Sequence, residues 1–182
     1  MNYHKIDECS ISNGIGIRTV LWVSGCTHHC AKCHNPETWD FSSGQLFDTQ
    51  AKNHLYDCLS KPYVHGITLS GGDPIVDNNL HDVYELIVDI QIRFPNKTIW
   101  LYTGYTLHDS DFGEINGLRI NAEQDYYWYY IIQHCDIIVD GEYIEELRDL
   151  TLPFRGSSNQ RIIDVHKSLK QRRIALWGNT NE

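Results

Sequence analysis

Arg18-Thr-Val-Leu-Trp-Val-Ser-Gly-Cys26-Thr-His-His-Cys30-Ala-Lys-Cys33 joins a hydrophobic run to a cluster of cysteines. The run from Arg18 to Ser24 is rich in β-branched and aromatic residues and stops at Gly25. It reads as a strand whose carboxyl end opens into a loop. The loop carries three cysteines in the pattern Cys-x3-Cys-x2-Cys, with no fourth cysteine near them. A closed iron–sulfur or structural zinc site takes four protein ligands. Three thiolates can instead hold three irons of a 4Fe-4S cube and leave the fourth iron open to a ligand that is not protein. Zinc is the alternative, with His28, His29 or His34 as fourth ligand. Thiolates suit both metals, so ligand type alone does not choose. Zinc modules usually show two ligand pairs a dozen or more residues apart, and this single compact trio favours the open cluster.

Downstream, the chain alternates between strand and helix patterns. Residues 48–60 read as a helix, with Asp48 or Thr49 as cap and Ala51, Leu55 and Leu59 four apart. A second strand, His65 to Ser70, is stopped by Gly71-Gly72-Asp73-Pro74. Leu80, Val83, Leu86, Ile87, Ile90 and Phe94 form a helical stripe closed by Pro95. Thr98 to Tyr102 is a third strand ending at Thr103-Gly104-Tyr105, and Asp136 to Val139 another ending at Asp140-Gly141. Repeated strand–loop–helix units imply parallel strands with right-handed crossovers. In such folds reactive groups gather at the carboxyl ends of the strands. A full eightfold barrel needs roughly 250 residues, more than the 182 present. The expected fold class is therefore α/β, a partial (β/α)6-type open barrel with parallel strands. Residues 108–130 are the least regular part and contain the block Tyr126-Tyr-Trp-Tyr-Tyr130. Core packing is the first reading of that block, an exposed patch for a partner the second.

With 41% hydrophobic and 12% aromatic residues the chain has the composition of one packed globule. No run of 18 apolar residues exists, which argues against a membrane span. The start, Met1-Asn-Tyr-His-Lys-Ile-Asp-Glu, lacks the apolar core of a secretory signal, so a cytoplasmic location is expected. In a reducing cytosol the six cysteines read as metal ligands or free thiols. A net charge of −9 argues against general nucleic-acid binding. Lys167, Lys170, Arg172 and Arg173 form a local basic cluster, read as solvated surface or as a patch for an acidic partner.

Gly14-Ile-Gly16-Ile-Arg18 before the cysteines, and Cys33-His34-Asn35-Pro-Glu-Thr-Trp39-Asp40 after them, resemble the glycyl-radical-enzyme activases of the radical S-adenosylmethionine superfamily. Within that group the chain is most similar to the branch that activates anaerobic ribonucleoside-triphosphate reductases. Ser70 to Pro74, Thr103 to Tyr105, Val139 to Gly141 and Arg155-Gly-Ser-Ser-Asn-Gln160 match in the family's order. The resemblance implies a radical S-adenosylmethionine core over residues 1–165, followed by a basic tail, 166–182, of unknown role. It implies that Cys26, Cys30 and Cys33 hold a 4Fe-4S cluster whose open iron chelates S-adenosyl-L-methionine. Lys32, Cys33 and His34 would lie by the adenine; Lys32 stands where many members carry an aromatic residue. Gly71, Gly72 and Asp73 would be the counterpart of the superfamily's Gly-Gly-Glu loop at the methionine ammonium, an ordinary strand-ending turn being the alternative. Thr103, Gly104 and Asp140 line the same pocket on this reading, or are turns with no ligand. No catalytic residue beyond the cluster ligands is implied.

The implied reaction is reductive cleavage of S-adenosylmethionine, its 5′-deoxyadenosyl radical then making a glycyl radical on the reductase. The implied partners are the large subunit of the anaerobic ribonucleoside-triphosphate reductase, as protein substrate, and an external low-potential electron donor. A docking face is expected around the barrel mouth, with Arg155–Gln160 and the basic tail as candidates. Two other functions fit the cysteine loop: a deazapurine-synthase-like radical enzyme acting on a small molecule, and a non-catalytic metal-binding module. Gly14-x-Gly16 precedes a strand rather than following one, which excludes a dinucleotide-binding turn. Cys9, Cys58 and Cys135 are isolated and expected as buried small hydrophobes. His4, His54, His65, His81, His108, His134 and His166 show no ligand spacing.

Overall fold

The computed structural model describes residues 1–113 and 123–178. Residues 114–122 of the irregular segment and 179–182 of the tail lie outside the described residues. Seven strands, β1 (Asn2–Ser10), β2 (Ile17–Val23), β3 (Gln45–Leu46), β4 (Val64–Gly71), β5 (Thr98–Tyr102), β6 (Ile137–Asp140) and β7 (Arg161–Asp164), form one sheet ordered β3-β1-β2-β4-β5-β6-β7. The helices are α1 (Thr49–Leu59), α2 (Asp77–Arg93), α3 (Glu123–His134) and α4 (Val165–Gln171). β2, β4, β5 and β6 run parallel, while β1, β3 and β7 pair antiparallel with their neighbours. The protein is thus mixed α/β, with four parallel strands where about six units were expected. The last strand reverses for a local reason. No α-helix intervenes between β6 and β7, only the 3-10 turn Glu145–Leu147, so the chain crosses the carboxyl end of the sheet and re-enters there, pairing Arg161 with Asp140.

The helices form where the sequence places them. Asp48 caps α1 by accepting the Ala51 N–H at 3.0 Å, and Ala51, Leu55 and Leu59 are buried. The α2 stripe Leu80, Val83, Leu86, Ile87 and Ile90 is buried too, and the helix ends at Phe94 before Pro95. These side chains cover one face of the sheet, meeting Leu21, Val23, Ile67, Leu69, Leu101 and Ile138 in a single apolar core. The aromatic block lies on α3: Tyr127, Trp128 and Tyr130 pack against that core, and the rings of Tyr126, Tyr127 and Tyr130 gather around Tyr84 of α2. No helix among the described residues is long and apolar enough to cross a membrane.

The opposite face carries polar and aromatic side chains. Arg18 is fully buried there. Its Nε donates to Thr68 Oγ1 at 2.8 Å, Nη1 to Thr98 Oγ1 at 2.8 Å and Nη2 to the Thr98 carbonyl at 2.9 Å. Further bonds reach the Ile67 and Ile15 carbonyls, and the guanidinium lies 5.3 Å from the Trp100 ring centre. Burial lowers its pKa to about 10. Beyond α4 the chain returns beside β7, where the Trp177 N–H donates to the Ile162 carbonyl at 2.8 Å. The Trp177 ring then closes on Trp100 and Phe154. All six cysteines are free thiols; Cys58 and Cys135 are buried as expected. Cys9 is exposed instead, because the sheet is irregular where it sits.

Candidate functional site

The cysteine loop leaves β2 at the carboxyl end of the parallel strands and is held by the chain that follows it. The Gly25 and Cys26 N–H groups donate to the Thr38 and Trp39 carbonyls at 2.7 and 3.1 Å. Gly25 adopts φ +96°, and its bare Cα admits the Phe41 ring where a side chain would stand. Between the cysteines the backbone coils tightly, with His29 and Lys32 both left-handed at φ 51° and 56°. The Cys33 N–H then donates to the Cys30 carbonyl at 3.1 Å. Cys26, Cys30 and Cys33 thereby line one cavity of about 120 Å³.

The Gly-Gly-Asp turn after β4 lies directly against this loop. Gly71 has φ +108°, and a Cβ there would sit 2.7 Å from the Val23 backbone. A Cβ at Gly72 would run into the Gly25 carbonyl oxygen. The Gly72 and Asp73 N–H groups donate to the Val23 and Gly25 carbonyls, each at 2.8 Å. These glycines are needed for contact between two backbones, whatever else they face. Gly72→Ala is accordingly expected to cost about 1–3 kcal/mol, the usual range for overpacking a tight site. Urea denaturation of wild type and variant measures it, and an unchanged midpoint would refute the close approach.

Asp73 is buried and joins the ends of three strands. It accepts the Thr103 hydroxyl at 2.9 Å, the Gly104 N–H at 2.9 Å and the Ile75 N–H at 3.0 Å. His28 Nε2 stands 2.9 Å from Asp73 Oδ2, and His28 Nδ1 3.1 Å from Glu142 Oε1 just past β6. The hydrogen bond to Asp73 above all raises the His28 pKa over its ordinary value, against the opposing effect of burial. His29 packs edge-on against Trp39 at 4.8 Å between ring centres.

Of the remaining expected residues, Gly71, Gly72, Asp73, Thr103 and Gly104 all line the cavity with the cysteines. His34 lies in an adjoining, larger cavity of about 420 Å³, which shares Cys33, Ser70, Tyr102, Tyr143 and Gln160 with the first. Lys32 points outward and pairs with Glu145 at 3.4 Å. Asp140 stands apart from both cavities. It is buried, ion-paired to Arg161, and accepts the Leu107 N–H at 2.9 Å; the next residue, Gly141, reaches the cavity wall. The segment Arg155–Gln160 walls the larger cavity and is laced to itself, Gly156 N–H donating to Gln160 Oε1 at 2.9 Å and Arg155 Nη1 to the Gln160 carbonyl at 2.8 Å.

The cavity walls also include residues that single-sequence reading overlooked. His28 had been considered only as a zinc ligand. Trp22, Ser70 and Tyr102 are the inward members of β2, β4 and β5, and strand alternation is the signal that identifies them. Tyr143, from the β6–β7 crossing, has no local signature, while Gln160 on the same crossing ends the stretch Arg155–Gln160 already noted.

The donor set suits a cluster better than one ion. Burial first, then the nearby Asp73 charge, pushes the Cys26 thiol up to about 11, and burial likewise raises Cys30. Such thiols become thiolates readily only beside a strong positive centre. Donors around one tetrahedral zinc lie about 3.8 Å apart, from a Zn–S bond near 2.3 Å. Among the described residues, the groups of three donors all within 4.8 Å are found elsewhere, so the three sulfurs are spread more widely. Trp39 Nε1 and Arg155 Nε, on residues lining the two cavities, are buried donors without a partner among the described residues.

Comparison with known proteins agrees with this chemistry. Residues 12–163 match the family model described as a 4Fe-4S single cluster domain. The chain is 40% identical to the anaerobic ribonucleoside-triphosphate reductase-activating protein of Enterobacteria phage T4, over 100% of this chain and 96% of the relative. It is 37% identical to the protein of the same name from Escherichia coli K12, over 88% of this chain and 96% of that one. The Vibrio cholerae protein of that name is also 37% identical, over 89% and 97% respectively.

Proposed function

Because this chain belongs to the family of anaerobic ribonucleoside-triphosphate reductase-activating proteins, we propose that it activates such a reductase as a radical S-adenosylmethionine enzyme. The observation that carries this reading is the open side of the cysteine site. Cys26, Cys30 and Cys33 share one cavity, and the histidines that would close it are engaged otherwise. His28 is held between Asp73 and Glu142, His29 rests on Trp39, and His34 belongs to the larger cavity.

The three cysteines would hold a 4Fe-4S cluster. With one electron from an external low-potential donor, such a cluster would supply reductive cleavage of S-adenosylmethionine and, through the 5′-deoxyadenosyl radical, hydrogen abstraction from a glycine Cα of the reductase large subunit. The chain's own residues bind and exclude. Gly71, Gly72, Thr103 and Gly104 present backbone groups around the cysteines, with Asp73 fixing them from beneath. Trp22, Tyr102 and Phe154 supply apolar walls that keep water from a reactive carbon radical. Cys33 and His34, at the junction of the two cavities, are assigned to the adenine side. Lys32 and Asp140 act on the surrounding loops through Glu145 and Arg161 rather than on the cofactor. In this reading β2, β4, β5 and β6 are the surviving strands of a partial radical S-adenosylmethionine barrel, and the protein works in the cytoplasm beside its reductase.

The test is anaerobic incubation of reconstituted, dithionite-reduced protein with S-adenosylmethionine and the reductase large subunit. The expected result is 5′-deoxyadenosine together with a glycyl radical seen by electron paramagnetic resonance on the reductase. Deoxyadenosine without a protein radical would point to a small-molecule substrate, and neither product from protein carrying reduced cluster would refute the mechanism.

A further inference from the structure

At the end of the sheet opposite the cysteine loop, an irregularity in β1 gathers a second set of metal-binding side chains. The β1–β2 register passes from Asp7↔Val20 to Ser10↔Arg18, so Glu8 and Cys9 together face Thr19. Two residues opposing one make a β-bulge, which breaks strand alternation and re-aims side chains. Glu8 here meets α1, on which His54 and Cys58 are four residues apart and share a face. A Glu8 carboxylate oxygen, a His54 ring nitrogen and the Cys58 sulfur all lie within 4.8 Å of one another. His54 Nε2 is 3.6 Å from Glu8 Oε1. Among the described residues Glu8 has no lysine or arginine partner. Cys9, the next residue along β1, adjoins the group.

We propose that Glu8, His54 and Cys58 form a second metal site, separate from the cysteine loop, that takes a divalent ion of the zinc type. A thiolate, an imidazole and a carboxylate form the mixed donor set that zinc accepts, whereas magnesium and calcium demand oxygen throughout. Three protein ligands leave one tetrahedral position for water, consistent with the exposure of Glu8 and His54. The other close donor group, His81, Asp82 and Glu85 on α2, is already engaged by the Met1 amine at Asp82 and by Lys52 at Glu85. Bound metal would clamp β1 to α1 and stabilise the native state by mass action.

The experiment uses the full chain with its iron–sulfur cluster loaded anaerobically, so that the loop cysteines are occupied. Zinc is titrated against a chromogenic chelator while iron content is followed. One zinc per chain beyond the iron is expected. His54→Ala and Glu8→Gln, both at exposed positions, should each weaken it at least about tenfold, since even outer-shell changes cost 10–100-fold. Zinc should raise the melting temperature of the wild type and leave that of His54→Ala unmoved. No zinc above background in the wild type, or affinity equal to the wild type's in both variants, would overturn the assignment.

Discussion

Cys30→Ala is expected to lower 5′-deoxyadenosine formation at least about a thousandfold, or about 4 kcal/mol in the barrier. Cys30 is the middle cysteine of a loop whose coil is fixed by left-handed His29 and Lys32. Neither neighbouring cysteine can reach into its place without unwinding that coil. The side chain is only partly buried and belongs to neither apolar cluster, so its loss should leave the fold within about 1 kcal/mol of wild type. The deficit is therefore chemical. Iron content should fall in parallel, whereas Cys9→Ser, at an exposed thiol outside the loop, should keep both iron and activity. More than a tenth of wild-type turnover in Cys30→Ala would contradict the ligand assignment.

Arg18→Ala should destabilise the cluster-free protein by about 3–5 kcal/mol. Truncating a large buried side chain leaves a cavity, and its former acceptors lose charged donors worth about 1.5–3 kcal/mol each in favourable cases. Part of that loss is offset because a buried charge no longer needs desolvation. The acceptors come from three separate places: Ile15 in the loop before β2, Ile67 and Thr68 in β4, and Thr98 in β5. One guanidinium fork thus ties all three together, beside single bonds such as Thr68 Oγ1 to the Asn13 carbonyl and Ile17 N–H to His65 Nδ1. For a chain of this length the loss corresponds to a melting temperature lower by roughly 10 °C. Arg18→Lys should recover only part, since one ammonium cannot span five acceptors. A loss below 1 kcal/mol in a denaturant titration of Arg18→Ala would show the contacts to be incidental.

The parallel strands and the first two helices were legible in the sequence because each bears a strong local signal. Thr98–Tyr102 coincides with β5, Asp48 does cap α1, and the stripe Leu80, Val83, Leu86, Ile87 and Ile90 on α2 is buried, with its last member Phe94 half-buried at the helix end. β1 was not foreseen. It is polar and only partly covered, and it pairs with β2 and a two-residue strand, so neither periodicity nor apolar content marks it. β7 escaped because four residues, Arg161-Ile-Ile-Asp164, are too few to carry a period. At the candidate site, glycines and cysteines announce themselves by type. His28 and Tyr143 do not: the His28 ring is set by Asp73 and Glu142, and Tyr143 arrives with the crossing from β6 to β7, both long-range events. The same limit hid the Glu8, His54 and Cys58 group, whose members are ordinary by spacing and meet only through a bulge.

The sheet's register also bears on how the molecule comes to be. Strand partners such as Val20 and Thr68, Thr68 and Trp100, or Trp100 and Ile137 are dozens of residues apart along the chain. The β1–β2 pair, and less so β6–β7, join strands nearer along the chain. Chains dominated by such distant pairings fold slowly, because loop closure must precede the contacts that reward it. Throughout that delay Cys58 and Cys135, which end up buried, stand open to oxidants. For these two thiols the hazardous period is the interval of folding, and the finished protein is the shelter.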